Sequence, residues 1–166
     1  MNALGREARS EARVYFTGGV TAVLNGWRES TVNIDIRISP ELTELFQALP
    51  RLKERLGVNI ELASPPDFIP PLPGWEDRSI HIARVGKVDF YHFDLYSQAL
   101  SKIERGHSQD KTDVEAMFRD KLIDPEKLFA LYDSIAAEVF RYPALDAVTL
   151  AAKVRRVVEA ARGQLT

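Results

Sequence analysis

The chain has 166 residues, of which 45% are hydrophobic and 28% charged, with a net charge of −2 and no cysteine. This length and balance suit one soluble domain with a substantial core, and the near-neutral charge argues against a dedicated DNA-binding protein. The missing cysteines exclude disulfides and thiolate metal sites. No run approaches the roughly 20 apolar residues that a membrane span requires, and the charged amino terminus lacks the apolar core of a signal peptide. We therefore expect a cytoplasmic protein.

The first predicted elements surround a pair of glycines. Residues 2–12 predict a short polar helix, and the apolar run 14–16 predicts a strand. Gly18 and Gly19 end that strand and allow the backbone to turn sharply and approach a ligand closely. Residues 20–24 predict a buried helix, whose first N–H groups would suit a phosphate. A tight turn without a ligand is the alternative interpretation.

Residues 31–38 alternate between polar and β-branched side chains, which predicts a strand with one polar face. The polar face carries Thr31, Asn33, Asp35 and Arg37. Residues two apart in a strand lie about 6.5–7 Å apart on the same face, so Asn33 and Asp35 are neighbours that suit one cation or one polar ligand. The β-branched face must be buried under helices. The alternative is that Asn33 and Asp35 face solvent on an edge strand.

A helix is predicted to begin at Ser39-Pro40, with serine as its cap and proline at its first position. Its apolar residues keep helical spacing, and Gly57 ends it. Pro50 is expected either to kink this helix or to begin a second short one.

Residues 58–62 alternate again and predict a strand whose polar face holds Asn59 and Glu61. The proline-rich segment 64–75 then predicts an irregular surface loop. It is either a rigid connector or the rim of a cleft, with Phe68 or Trp75 stacking on a base.

The remaining sequence predicts a hairpin followed by helices. Residues 80–85 and 88–92 form its two strands, and helical spacing of apolar residues follows to the end of the chain. The predicted fold class is α/β (α+β), with a small mixed β-sheet core in residues 1–93 and a helical region in residues 94–166. We expect the two parts to pack as one compact unit.

Two motifs resemble the nucleotidyltransferase superfamily with the DNA polymerase β-like core. The first is the diglycine Gly18-Gly19, followed after thirteen residues by Asn33-Ile34-Asp35. The second is Leu100-Ser101-Lys102 with Arg105 and the acidic turn at residues 110–113. Together with Arg28, Ser30 and Thr31, they are similar to the small bacterial branch of minimal and abortive-infection toxin–antitoxin nucleotidyltransferases. The resemblance covers roughly residues 14–115.

The resemblance implies a set of site residues and a chemistry. The implied catalytic residues are Asp35, Asn33 and Glu61, of which Asp35 and Glu61 would bind metal. The implied nucleotide-binding residues are Gly18, Gly19, Arg28, Thr31 and Lys102. By the same resemblance, Mg²⁺ is the cofactor, a nucleoside triphosphate such as ATP is the substrate, and a protein or RNA accepts the nucleoside monophosphate. Taken from the residues alone, Glu61 could be a surface carboxylate, Lys102 a solvated helix lysine, and Arg28 a partner of Glu29 or Glu54.

Asn33 departs from the family pattern, which has an aspartate at this position. An asparagine is neutral and bridges two metal ions poorly, and one unit charge at 4 Å from a cation is worth up to about 4 kcal/mol at an effective dielectric constant near 20. Whether the chain is an active enzyme is therefore left open. The alternative function is a catalytically weakened antitoxin or scaffold that binds a toxin or another protein, with helical residues 95–162 as a partner or homodimer surface. A purely structural α/β domain is the third hypothesis.

Overall fold

The computed structural model describes residues 1–164, which divide into two compact units. The first unit comprises residues 1–64 and 79–93. The second comprises residues 65–78 and the chain from residue 94 onward. Among the described residues, every helix is too short or too polar to cross a membrane.

The first unit contains three helices and the five strands found in the described part of the chain. In chain order these are α1 (Asn2–Gly5), β1 (Ala12–Thr17), α2 (Gly19–Leu24), β2 (Asn33–Ser39), α3 (Thr43–Leu56), β3 (Asn59–Leu62), β4 (Ile80–Val85) and β5 (Val88–His92). The strands form one mixed sheet in the order β3-β2-β1-β5-β4. β1 is antiparallel to β2 and parallel to β5, whereas β3 runs parallel to β2 and β4 antiparallel to β5. This sheet and the helices confirm the predicted α/β class.

Alternation along the two central strands gives the sheet one buried apolar face. Val14 and Phe16 of β1 and Ile36 and Ile38 of β2 lie in a core cluster that includes apolar residues of α3. The intervening residues of these strands point to the opposite face. On that opposite face Tyr15 stacks on Tyr91, with ring centroids 5.3 Å apart. The apolar face thus packs against α3, and the opposite face carries the polar side chains of β2.

The second unit is helical. It contains a 3₁₀ turn (Pro65–Asp67), α4 (Trp75–Arg78), α5 (Leu95–Arg105), α6 (Ser108–Arg119), α7 (Pro125–Ile135), a 3₁₀ segment (Ala136–Arg141) and α8 (Ala147–Gln164). Asp94 caps α5 by accepting the backbone N–H groups of Tyr96 and Ser97, and it also pairs with Arg78 at 2.9 Å. Asp124 before α7 accepts a hydrogen bond from the backbone N–H of Lys127, and Asp146 before α8 accepts one from the backbone N–H of Thr149.

Two predicted boundaries are wrong, and one of the two alternatives at Pro50, the start of a second helix, is excluded. The first helix ends at Gly5 rather than continuing to residue 12, because β1 already begins at Ala12. The third helix begins at Thr43 rather than at Ser39-Pro40, because Ser39 is the last residue of β2 and pairs with Arg13. Helix α3 also runs continuously through Pro50 to Leu56. The left-handed cap at Gly57, with φ of 62°, is as predicted.

Candidate functional site

The diglycine turn lies against the polar end of β2. Gly18 has φ of 64° and ψ of −132°, a conformation that side chains disfavour. A Cβ atom at Gly18 would lie 2.6 Å from Oδ2 of Asp35, and a Cβ atom at Gly19 would overlap Oγ1 of Thr31. The antiparallel pairing of β1 with β2 causes this approach, because it sets Thr17 directly opposite Asp35. Neither position therefore has room for a side chain, and this steric constraint could not be recognised from the sequence.

Four polar residues of β2 and β3 form what we call the strand cluster: Asn33, Asp35, Asn59 and Glu61. The parallel register aligns Asn33 with Asn59 and Asp35 with Glu61, so all four share one face. Asn33 Nδ2 donates to Glu61 Oε1 at 3.0 Å, and Asn59 Nδ2 donates to Glu61 Oε1 at 2.8 Å and to Asn33 Oδ1 at 2.9 Å. Their side chains are partly or fully open to solvent. The cluster is thus accessible to a ligand from outside the first unit.

The topology decides one of the alternatives that the sequence left open. β2 lies between β1 and β3 rather than at the edge of the sheet, so the edge-strand interpretation of Asn33 and Asp35 is wrong. Glu61 is exposed, yet its strand pairs with β2 and its carboxylate contacts Asn33. Val32 was expected among the buried β-branched residues, but it precedes β2 and is 88% exposed.

Thr31 and Arg28 lie in the loop between α2 and β2. The Thr31 hydroxyl donates to the backbone oxygen of Asn33 at 3.0 Å, which ties the loop to the first residue of β2. Arg28 is half-buried in the same loop. Thr31 is therefore held close to both the diglycine turn and the strand cluster.

Lys102 lies in the second unit, where it belongs to what we call the helix cluster: Lys102, Arg105, Asp110 and Asp113. The Lys102 ammonium donates to Asp113 at 2.5 Å and to Asp110 at 3.4 Å. The Arg105 guanidinium donates to both oxygens of Asp110. The side chain of Lys102 is only 3% exposed, so the interpretation of a solvated helix lysine is wrong.

Asn59 and His92 were not predicted as site residues. The two-residue spacing placed Asn59 beside Glu61 on the polar face of the predicted strand, but it did not reveal that the Asn59 amide donates to both Asn33 and Glu61. His92 ends β5, and its Nδ1 lies 3.2 Å from Oγ1 of Thr21, whose hydroxyl donates to the Phe16 backbone oxygen. Burial lowers the pKa of His92, which favours the neutral ring.

The strand cluster offers oxygen atoms as its potential metal ligands. It contributes the carboxylates of Asp35 and Glu61, and the second oxygen of Glu61 takes part in none of its hydrogen bonds to the two asparagines. Oxygen is the donor that Mg²⁺ prefers. No group of three or more His, Cys, Asp or Glu residues within residues 1–164 is arranged to hold a metal ion. The cluster thus fits Mg²⁺ only as a partial ligand set, to which a nucleotide's phosphates would have to be added.

The first unit thus has a strand, a diglycine turn, a short helix and a second strand with polar residues facing that turn, which is the arrangement implied by the resemblance to the nucleotidyltransferase superfamily. A family model described as "Nucleotidyltransferase of unknown function (DUF6036)" matches residues 2–161. The chain therefore belongs to this family of nucleotidyltransferases. No curated protein and no solved structure matches it.

Proposed function

We propose that this protein transfers a nucleoside monophosphate from a nucleoside triphosphate to a protein or RNA acceptor in the presence of Mg²⁺. The observation that carries the proposal is the approach of the diglycine turn to Asp35, whose Oδ2 would lie 2.6 Å from a Cβ atom at Gly18. The turn leaves room for a carboxylate next to bare backbone, and Glu61 of the adjacent strand aligns with that carboxylate. A triphosphate and its cation need such an arrangement of acidic oxygens beside open backbone.

The reaction itself requires positioning and neutralisation of charge more than covalent chemistry. An acceptor hydroxyl oxygen forms a bond to the α-phosphorus, the bond from that phosphorus to the bridging oxygen breaks, and pyrophosphate leaves with the electron pair. The hydroxyl proton passes to solvent. When bound, Mg²⁺ would neutralise part of the negative charge of the phosphates. Asp35 and Glu61 are the residues that would hold it, and Thr31 and the turn would orient the triphosphate.

The first test measures thermal stability with ATP and millimolar Mg²⁺. A ligand present at about 100 times its Kd stabilises the native state by about 2.7 kcal/mol, so the melting temperature is expected to rise. Asp35→Ala is expected to abolish the rise. Asp89→Ala is the matched control, because Asp89 is a strand carboxylate of the same sheet that pairs with Arg84 outside the strand cluster. If none of the four common triphosphates with Mg²⁺ or Mn²⁺ raises the melting temperature, the proposal is wrong.

One observation favours a second function, namely a nucleotidyltransferase fold with weak or absent turnover that acts by binding a protein. Asn33 donates a hydrogen bond to Glu61, which an ionised aspartate at this position could not do. The amide thereby occupies one oxygen of the carboxylate that would otherwise be available to metal. The strand cluster is therefore better suited to internal hydrogen bonds than to a metal site in which Asn33 would be replaced by a second aspartate.

Asn33→Asp separates the two functions. The measurement is transfer of a radiolabelled nucleotide onto cell extract, followed by separation of protein and RNA. A gain of transfer over the wild-type chain indicates a catalytically weakened site, whereas robust transfer by the wild-type chain supports the enzymatic function. Asn59→Asp is the control, because it adds the same charge to the neighbouring strand.

A further inference from the structure

The second unit contains a cleft of about 400 Å³ between α5, α6 and α8. Apolar side chains from all three helices line it: Ile103, Val114, Phe118, Val157 and Ala161. Four of them, Ile103, Val114, Phe118 and Ala161, are less than 10% exposed, so they form a buried apolar floor. Ligand pockets commonly measure about 300–1,000 Å³ and have mainly apolar walls with a few placed polar groups. This cleft has the size and the lining of a small-molecule site.

Cationic side chains outnumber carboxylates around the cleft. Five basic residues line it (Lys102, Arg105, Lys111, Lys153 and Arg156), against the two acidic residues Asp110 and Glu115. Lys102 and Arg105 are already bound to carboxylates of the helix cluster, and the Lys153 ammonium donates to the backbone oxygen of Glu104.

Lys111 of α6 and Arg156 of α8 differ from the other basic residues. Both are exposed at the cleft, and neither forms an ion pair with any carboxylate among the described residues. They lie on different helices above one apolar floor. A carboxylate that entered the cleft could accept charge-assisted hydrogen bonds from the Arg156 guanidinium and the Lys111 ammonium.

We propose that this cleft binds a small amphipathic acid, with an aromatic or aliphatic body on the apolar floor and an anionic group between Lys111 and Arg156. All residues that line the cleft belong to the second unit, and the lining includes no residue of the strand cluster or of the diglycine turn. A cationic ligand with the same apolar body would face the excess of basic residues and bind more weakly.

The test compares two probes with the same ring system and opposite charge, naphthoate and naphthylmethylammonium. Each is titrated into the full chain while backbone amide proton–nitrogen correlation spectra are recorded. Naphthoate is expected to shift amides of α5, α6 and α8 next to the cleft, and to bind at least about tenfold more tightly than the amine. Equal affinity for the two probes, or shifts that lie outside these helices, would overturn the proposal.

Two pairs of variants locate the site. Ala160→Trp fills the cleft from an exposed position and is expected to abolish naphthoate binding, whereas Ala152→Trp, exposed on the same helix but outside the cleft, is expected to retain it. Arg156→Glu is expected to weaken binding by about tenfold and Arg155→Glu by less than about twofold, because only Arg156 lines the cleft. Unchanged binding by both Ala160→Trp and Arg156→Glu, with native spectra, would refute the assignment.

Discussion

The strand cluster and the helix cluster contain the same kinds of polar atoms in opposite surroundings. In the strand cluster, two carboxylates and two amides lie on an accessible sheet face, and Glu61 receives only neutral N–H donors from its cluster partners. In the helix cluster, Lys102 and Arg105 neutralise Asp110 and Asp113, and Lys102 and the two aspartates are at most 5% exposed. Buried charges persist only when they are paired, whereas a solvent-exposed carboxylate such as Glu61 needs no charged partner. The comparison separates a region suited to binding from a region suited to holding helices together.

The largest expected effect tests the role of the helix cluster in stability. Asp113→Ala removes the closest partner of the Lys102 ammonium and leaves a buried positive charge with only the more distant Asp110. Breaking one side of a buried ion pair costs about 3–5 kcal/mol, and we expect the free energy of unfolding in urea to fall by this amount. Asp120→Ala is the control, since its partner Arg119 is largely exposed, and it should leave the unfolding free energy unchanged. If Asp113→Ala also left the unfolding free energy unchanged, the helix cluster would not stabilise the fold as proposed.

An intermediate effect is expected at the diglycine turn. Gly18→Ala meets both an unfavourable positive φ and the carboxylate of Asp35, and strain of this kind costs about 1–3 kcal/mol. We expect lower stability together with loss of the nucleotide-dependent rise in melting temperature.

The control for Gly18→Ala is Gly26→Ala. Gly26 also has a positive φ, of 75°, but no atom lies within 4 Å of the position of an added Cβ. This variant should lose stability through backbone strain alone and keep the response to nucleotide. If both variants keep the response, the turn does not contribute to the site.

The smallest expected effect is the contribution of His92, the last residue of β5, to the pH dependence of the unfolding free energy. Because burial lowers the pKa of His92, the native state binds fewer protons than the unfolded chain, in which a histidine titrates near about 6.5. The contribution of the neutral ring to stability is thus fully present above that value and is lost as the pH falls toward the lower native pKa. His92→Gln should flatten the decline of unfolding free energy between neutral and mildly acidic pH. His107→Gln, at an exposed position before α6, should retain the decline.

Much of the first unit could be predicted from local patterns. The alternation in residues 31–38 and 58–62 identified β2 and β3, and the diglycine marked the turn after β1. The polar positions Asn33, Asp35 and Glu61 were assigned correctly to strand faces because a strand has a two-residue period. The start of α3 was missed because pairing of Ser39 with Arg13 competes with the capping pattern of Ser39-Pro40. Local propensity cannot include a hydrogen bond to a strand that is distant in sequence.

The sequence by itself determined the alternating strands, the glycine turn and the helical spacing of the second unit, since each depends on residues that are near one another in the chain, and its composition excluded thiolate ligands. Only the tertiary structure decided that β2 is an internal strand, that Asn59 joins Asn33 and Glu61, and that Lys102 is buried against Asp113. Strand order, register and burial arise from contacts between distant segments. The same charged or amide side chain can therefore be a ligand or a structural partner, according to what the fold packs against it.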